Sequence, residues 1–236
     1  MKILVTGFES LGNDEFSPSV DIVKMLPIVV EDAFVVKLEV PALFVKSITT
    51  VTDAIDEHNP EAVICVGQFG GRFGITPEFV AINYINSHLP DNAGNRPQNK
   101  VVSPDGPAAY ITDLPINGMV TAIKEAGVPA EVSYAAGTSL SNSLMYGVAR
   151  HIEQNRLRTI SGFLHIPYIP SQTVLLPRPA PSLSTDDIRN GIEAAIGAVA
   201  MYLRDRQDEP VSDVSPLSSA FSSIDINNLH RLDSKR

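Results

Sequence analysis

The residues that could do chemistry fall in three short segments. The first, Ala136-Gly137-Thr138-Ser139-Leu140-Ser141-Asn142, links a strand-like run to a helical one through small residues, the composition of a tight strand–turn–helix. On such a turn Ser141 sits near a helix N-terminus, where free N–H groups and the dipole favour developing negative charge, and nucleophiles recur on turns of this kind in hydrolases. The simpler reading is that Ser141 and Asn142 cap the helix. The second segment, Ile160-Ser161-Gly162-Phe163-Leu164-His165, ends an apolar run in a histidine. A histidine at a strand's carboxyl end is placed for acid–base work, and a structural histidine with satisfied hydrogen bonds fits equally well. The third, Gly67-Gln68-Phe69-Gly70-Gly71-Arg72-Phe73-Gly74, follows a strand directly. It has neither the register of a dinucleotide fingerprint nor the Gly-Lys-Ser/Thr ending of a phosphate loop. It is a turn where α/β proteins hold ligands, or a purely structural one.

Of the other histidines, His58, His151 and His230 are expected to be solvated, and His88 lies in a polar loop from which it could reach a site. The single cysteine, Cys65, sits inside the apolar run Ala62-Val63-Ile64-Cys65-Val66 and reads as packing rather than as a nucleophile. One cysteine excludes an intrachain disulfide and a multi-cysteine zinc site.

The elements that must position these segments alternate. Strands are expected at 3–5, 34–38, 62–66, 79–85, 130–134 and 160–165, several apolar on both faces as buried parallel strands are. Helices are expected at 18–26, 41–58, 115–126, 140–155 and 185–206, the last opened by Ser184 or Thr185 with Asp186 and Asp187. This alternation predicts an α/β fold, a three-layer α/β/α sandwich with a mainly parallel mixed sheet. The stretch 86–106, rich in Pro, Asn and Gly, is expected to be a long loop with a functional or oligomer-forming role. One domain is expected over 1–209. The Ser-rich remainder, 210–236, carries three acids and three bases and is expected to be a disordered tail.

Composition narrows the partners. The chain has 236 residues, 44% hydrophobic and 19% charged, with a net charge of −9 and no basic cluster, which argues against nucleic acid. Its longest apolar runs are too short to cross a bilayer, and the opening Met1-Lys2-Ile3-Leu4-Val5-Thr6-Gly7 reads as a first strand rather than a secretory signal. The expected compartment is the cytoplasm.

The three segments, taken with their surroundings, resemble one family: pyroglutamyl peptidase type I, also called pyrrolidone-carboxylate peptidase. The resemblance runs from residue 1 to about 206. It is carried by Thr6-Gly7-Phe8 with Gly12, by 63–72, by Ile75-Thr76-Pro77-Glu78 with Val80-Ala81-Ile82-Asn83, and by Pro90-Asp91-Asn92. Asp105-Gly106-Pro107-Ala108-Ala109-Tyr110, Ala136-Gly137-Thr138 with Asn142, Met145-Tyr146, and Phe163 with His165-Ile166-Pro167-Tyr168 complete it. The resemblance implies a cytoplasmic hydrolase that removes an N-terminal pyroglutamyl residue, without metal or cofactor, as a homodimer or homotetramer.

It further implies that Glu78 and His165 are catalytic and that Ser141 stands where the family has its cysteine. Phe8, Leu11, Gln68 and Leu140 would bind the lactam, with Leu11 at the place of a second phenylalanine and Ser10 at that of a proline. Phe79 and His88 take the places of two arginines, and His88 is a candidate for oxyanion support. Ser139 replaces an aromatic residue before the nucleophile. A serine, unlike a thiol, needs a base to take its proton as it attacks, and Glu78, Ser141 and His165 would supply carboxylate, nucleophile and base. Two alternatives remain. One is a catalytically silent homologue, by a natural or engineered Cys-to-Ser exchange, that binds a lactam-like small molecule or peptide. The other is a divergent amide hydrolase with a different substrate.

Overall fold

The computed structural model describes residues 1–12, 17–174 and 176–208, and the expected tail at 210–236 lies outside them. Contacts divide the chain into two units, Met1–Leu203 and Arg204–Arg236. In the first, the strands are β1 (Lys2–Phe8), β2 (Val29–Val30), β3 (Ala33–Val40), β4 (Ala62–Gln68), β5 (Thr76–Pro77), β6 (Val80–Ile82), β7 (Ala109–Ile111) and β8 (Ile160–Ile166). The helices are α1 (Pro18–Met25), α2 (Phe44–His58), α3 (Ile116–Glu125), α4 (Leu140–Gln154), α5 (Pro170–Thr173) and α6 (Thr185–Asp208).

Six strands form one sheet in the order β2-β3-β1-β4-β8-β5. The four central strands run parallel, and the two-residue strands β2 and β5 close the edges antiparallel. Alternation along the strands divides the core in two. Ile3 and Val5 of β1 and Ile64 and Val66 of β4 face α1, α3 and α6, where Ile22, Met119, Ile123, Ile192 and Ile196 are buried against them. Leu4, Val63, Cys65 and Phe163 face α2 and α4 and meet Val51, Ile55, Leu144 and Tyr146. Strands clothed on both faces explain why their sequences are apolar throughout rather than alternating. This is the expected mixed, mainly parallel sheet between two helical layers.

Two expected strands take a different form. The run expected at 79–85 contributes only β6, which leaves the main sheet to pair with β7 in a small antiparallel sheet. The run at 130–134 forms bridges from Ala130 to Ile75 and from Ser133 to Glu78 rather than a strand. Its backbone bonds the 75–79 segment through Glu131 N–H to Ile75 O, Ser133 N–H to Pro77 O and Phe79 N–H to Ser133 O. Pro77 has no N–H to give, so that ladder is broken in the middle.

The long loop at 86–106 is tied down by side chains. Asp91, almost fully buried, accepts N–H groups of Phe44, Ala93 and Asn95. Asn92 reaches the segment after β1: its amide donates to Glu9 Oε1 and Ser10 O, and its Oδ1 accepts from Gly12 N–H. Among the described residues no helix is long and apolar enough to cross a membrane.

Candidate active site

The carboxyl ends of β4 and β8 open into a cleft of about 540 Å³. Register determines what meets there. β8 pairs in parallel with β4, opposing His165 to Gly67, and antiparallel with β5, opposing His165 to Thr76. Glu78 follows β5 directly, and its N–H donates to Phe163 O. His165 and Glu78 are therefore diagonal neighbours on one face of the sheet, within reach of long side chains. His165 Nδ1 lies 2.6 Å from Glu78 Oε1. Both side chains are buried, with exposures of 1% and 0%.

Ser141 comes from the opposite wall, as the second residue of α4. The N-cap of that helix is Ser139, which makes no capping hydrogen bond with its side chain. Its hydroxyl instead pairs with Ser87 Oγ at 2.9 Å. The expected caps do not form either. The buried Asn142 accepts the Ile82 N–H and donates to Ile82 O and Tyr84 O, fastening α4 to β6. The Ser141 hydroxyl has no hydrogen-bond partner among the described residues and faces the cleft. A helix start whose first N–H groups lack side-chain caps is a ready site for negative charge.

Gly67 makes room for this arrangement. A Cβ there would lie 2.7 Å from Phe163 Cζ and 3.3 Å from Ser141 Oγ. The serine hydroxyl thus hangs over the β4 residue that lies beside His165. Glu78 takes Nδ1, which leaves the Nε2 of His165 as the nitrogen available to the cleft.

Charges follow from burial and neighbours. Burial pushes the His165 pKa down and outweighs the opposing pull of Glu78, so the imidazole is neutral near pH 7. Burial alone would raise the Glu78 carboxyl, but the hydrogen bond and charge of His165, with the charge of Arg72, hold it below the usual carboxylate range. Glu78 Oε2 is buried with no hydrogen-bond partner among the described residues. Cys65 lies fully buried in β4, and burial pushes its thiol up to about 12.

The other expected residues divide. Phe8, Leu11, Gln68, Leu140 and His88 all line the cleft, as does Ser10. The Phe8 ring leans on Phe163 at 6.3 Å, and its carbonyl accepts the hydroxyls of Ser17 and Ser19. The Gln68 amide is paired with that of Gln172: Gln68 Nε2 lies 2.6 Å from Gln172 Oε1, and Gln172 Nε2 lies 3.0 Å from Gln68 Oε1. His88 is exposed on the cleft wall. Phe79 lies outside the cleft, its ring 5.5 Å from Tyr134. Arg72 carries no role in the sequence reading, yet its Nη2 lies 3.1 Å from Glu78 Oε1. The signal available was a basic residue in a glycine-rich turn. Its partner follows only six residues on, past the short β5, and the glycine-rich turn gives no sign that the chain folds back there. Gln172 escaped notice because Gln68 lies 104 positions away and only the pairing of β4 with β8 brings the two together.

Residues 1–202 match the model of the family described as pyroglutamyl peptidase. The chain belongs to the pyroglutamyl peptidase family. It is similar to the pyrrolidone-carboxylate peptidase of Clostridium perfringens (strain SM101 / Type A), with 44% identity over 201 residues, 85% of this chain and 94% of that one. The Bacillus subtilis (strain 168) pyrrolidone-carboxylate peptidase is 44% identical over 205 residues, 86% and 94% of the two chains. Among solved structures, pyroglutamyl peptidase I of Bacillus amyloliquefaciens superposes with a TM-score of 0.82 at 45% identity, covering 85% of this chain and 97% of that one. A mutant pyrrolidone carboxyl peptidase of the hyperthermophile Pyrococcus furiosus gives a TM-score of 0.82 at 34% identity, covering 86% and 100%. The α/β fold of this pyroglutamyl peptidase family member is therefore that of its solved relatives.

Proposed function

We propose that this chain is a peptidase that hydrolyses the amide bond after an N-terminal pyroglutamyl residue, through an acyl-enzyme on Ser141. One observation carries the reading: the uncapped start of α4 holds the Ser141 hydroxyl over Gly67, the register partner of a buried His165 that Glu78 already holds by Nδ1. His165 Nε2 takes the hydroxyl proton as Ser141 Oγ bonds to the lactam-side carbonyl carbon. The same proton passes to the leaving amine as the C–N bond breaks. His165 then deprotonates water as its oxygen bonds to the acyl carbon; the C–Oγ bond breaks, the acid leaves, and His165 returns the proton to Ser141 Oγ. A neutral imidazole is the state that can accept the first proton, and the buried Glu78 carboxylate stabilises the imidazolium that results.

The oxyanion would form at the N–H groups of Leu140 and Ser141, with His88 as further support from the cleft wall. Phe8, Leu11 and Leu140 offer an apolar bed for a small lactam ring, and Gln68 offers the second lone pair of its Oε1 to a lactam N–H at its edge. The substrate is then an N-terminally pyroglutamylated peptide. The protein would act in the cytoplasm as a homodimer or homotetramer, with no nucleic-acid partner.

A second reading is favoured by one observation: no hydrogen bond joins Ser141 to His165 among the described residues. On that reading the cleft binds a lactam or peptide without turning it over. A pyroglutamyl amide reporter separates the two, assayed on the parent, Ser141→Ala and Ser141→Cys. Activity in the parent that vanishes in Ser141→Ala supports serine catalysis. A silent parent with an active Ser141→Cys variant means that the scaffold is intact and the serine does not serve. Silence in all three, with a lactam still raising Tm, establishes binding alone.

A further inference from the structure

Glu78 poses an electrostatic problem. Its side chain is wholly buried, while the histidine that touches it favours the neutral form. A buried carboxylate needs a cation beside it, and without one it draws a proton onto itself or onto a basic neighbour. The cation present is Arg72, whose Nη2 lies 3.1 Å from Oε1, the same oxygen that His165 Nδ1 touches at 2.6 Å. Arg72 is itself held on several sides. Its Nη1 donates to Thr76 Oγ1 at 3.1 Å, Nη2 reaches Ala135 O at 3.4 Å, and the guanidinium stacks 4.6 Å over the Phe69 ring. Phe69 in turn meets the His165 ring edge-on at 5.2 Å. Arg72 therefore touches the carboxylate directly and braces the imidazole through an aromatic ring. A planar fork of fixed geometry can do both at once, and a lysine ammonium cannot.

We infer that Arg72 is the positioning residue of this site: its guanidinium fixes the Glu78 carboxylate that orients His165 and supplies the counter-charge while the imidazole is neutral. This rests on the hydrolase reading and adds a fourth member to its machinery, one that never touches substrate. Without Arg72 the Glu78 carboxylate keeps its charge by drawing a proton onto His165. A protonated His165 cannot accept the Ser141 proton, so activity falls toward neutral pH and recovers at higher pH. The Arg72 charge also acts against the imidazolium, in the same direction. The other titratable groups around His165 are Glu9, His88 and Tyr168 on the cleft walls and the Cys65 thiol on β4, and none shares a hydrogen bond or ion pair with it among the described residues.

The test follows the His165 imidazole by NMR in histidine-labelled protein, its resonance assigned against His165→Asn, beside the pH profile of kcat/KM on a pyroglutamyl amide reporter. In Arg72→Met the His165 midpoint is expected to rise by about one pH unit or more, and the acid limb of kcat/KM to rise with it, about a tenfold loss on that limb. Arg72→Gln keeps a polar side chain without the charge, and is expected to match Arg72→Met. Arg72→Lys restores most of the parent midpoint. A folded Arg72→Gln whose His165 midpoint stays at or below that of the parent overturns the assignment. A parent without turnover defeats the hydrolase reading alone, and the titration then decides the role of Arg72 by itself.

Discussion

The Ser141 hydroxyl lies against Gly67, and the glycine's missing side chain is the reason it can. A Cβ at 67 would stand 3.3 Å from Ser141 Oγ, close enough to crowd it, and 2.7 Å from Phe163 Cζ, where something must move. The space is bounded by buried residues, since Phe163 is 1% exposed and packs in the core below. Gly67→Ala is expected to cost about 1–3 kcal/mol of stability by overpacking. Turnover should fall more steeply, by roughly tenfold or more, because displacing a positioned group by a fraction of an ångström is costly. Urea unfolding beside kcat/KM measures both. A variant with full activity would show that Ser141 does not act from this position.

Folding moves the two buried members of the site in the same direction on the pH scale. Burial holds His165 below its ordinary 6.5. For Glu78, burial is outweighed by His165 and Arg72, and the carboxyl sits below 4.5. In both cases the unfolded chain binds its proton at higher pH than the folded one, so stability is lost as pH falls. The His165 share is present above about pH 6.5 and declines below it, and the Glu78 share declines below about pH 4.5. Tm is expected to drop in these two windows on acidification, and His165→Gln should flatten the upper one. A Tm that holds level from about pH 7 to pH 4 would contradict this account.

The wall of the cleft that carries Leu11 depends on Asn92. Three hydrogen bonds from this one side chain hold the segment after β1, to Glu9 Oε1, Ser10 O and Gly12 N–H. Asn92→Ala should loosen that wall without touching Glu78, Ser141 or His165. A several-fold rise in KM with kcat nearly unchanged is expected, together with a stability loss of about 1 kcal/mol. An equal fall in kcat would place Asn92 in the chemistry itself.

Cys65 should behave as an inert packing residue. Its thiol is buried in β4 and held at about 12, far from the thiolate. Native protein is expected to resist iodoacetamide at neutral pH and to react only after unfolding. Cys65→Ala should cost about 1 kcal/mol and leave kcat/KM within about twofold. Inactivation of the native chain by a thiol reagent would assign the cysteine a role that its position denies.

The parts legible in the sequence were those whose signal is local. Runs such as Ala62-Val63-Ile64-Cys65-Val66 are apolar because both faces of the strand are covered, and that pattern survives without knowledge of the neighbours. Small residues around Ser141 announce a turn into a helix wherever the turn lies. What failed were inferences about partners. Asn142 looked like a helix cap, and in the fold its amide bonds the β6 backbone, a residue some 60 positions away. Phe79 opened an expected strand at 79–85, but the strand in the fold is only Val80–Ile82 and the Phe79 ring turns to Tyr134. Gln172 drew no role because Gln68, which it touches, lies 104 positions away and reaches it only through the pairing of β4 with β8, and Arg72 drew none because a glycine-rich turn does not say which way its basic residue points.

Glu78 follows one of the two shortest strands in the sheet. β5 has two residues, one of them a proline, and is held by β8 on one side and by the interrupted ladder of residues 130–134 on the other. Short, imperfectly paired segments open with less free energy than long central strands. Heat should therefore part Glu78 from His165 while β1, β4 and β8 remain intact, and the molecule would lose its working temperature before its shape.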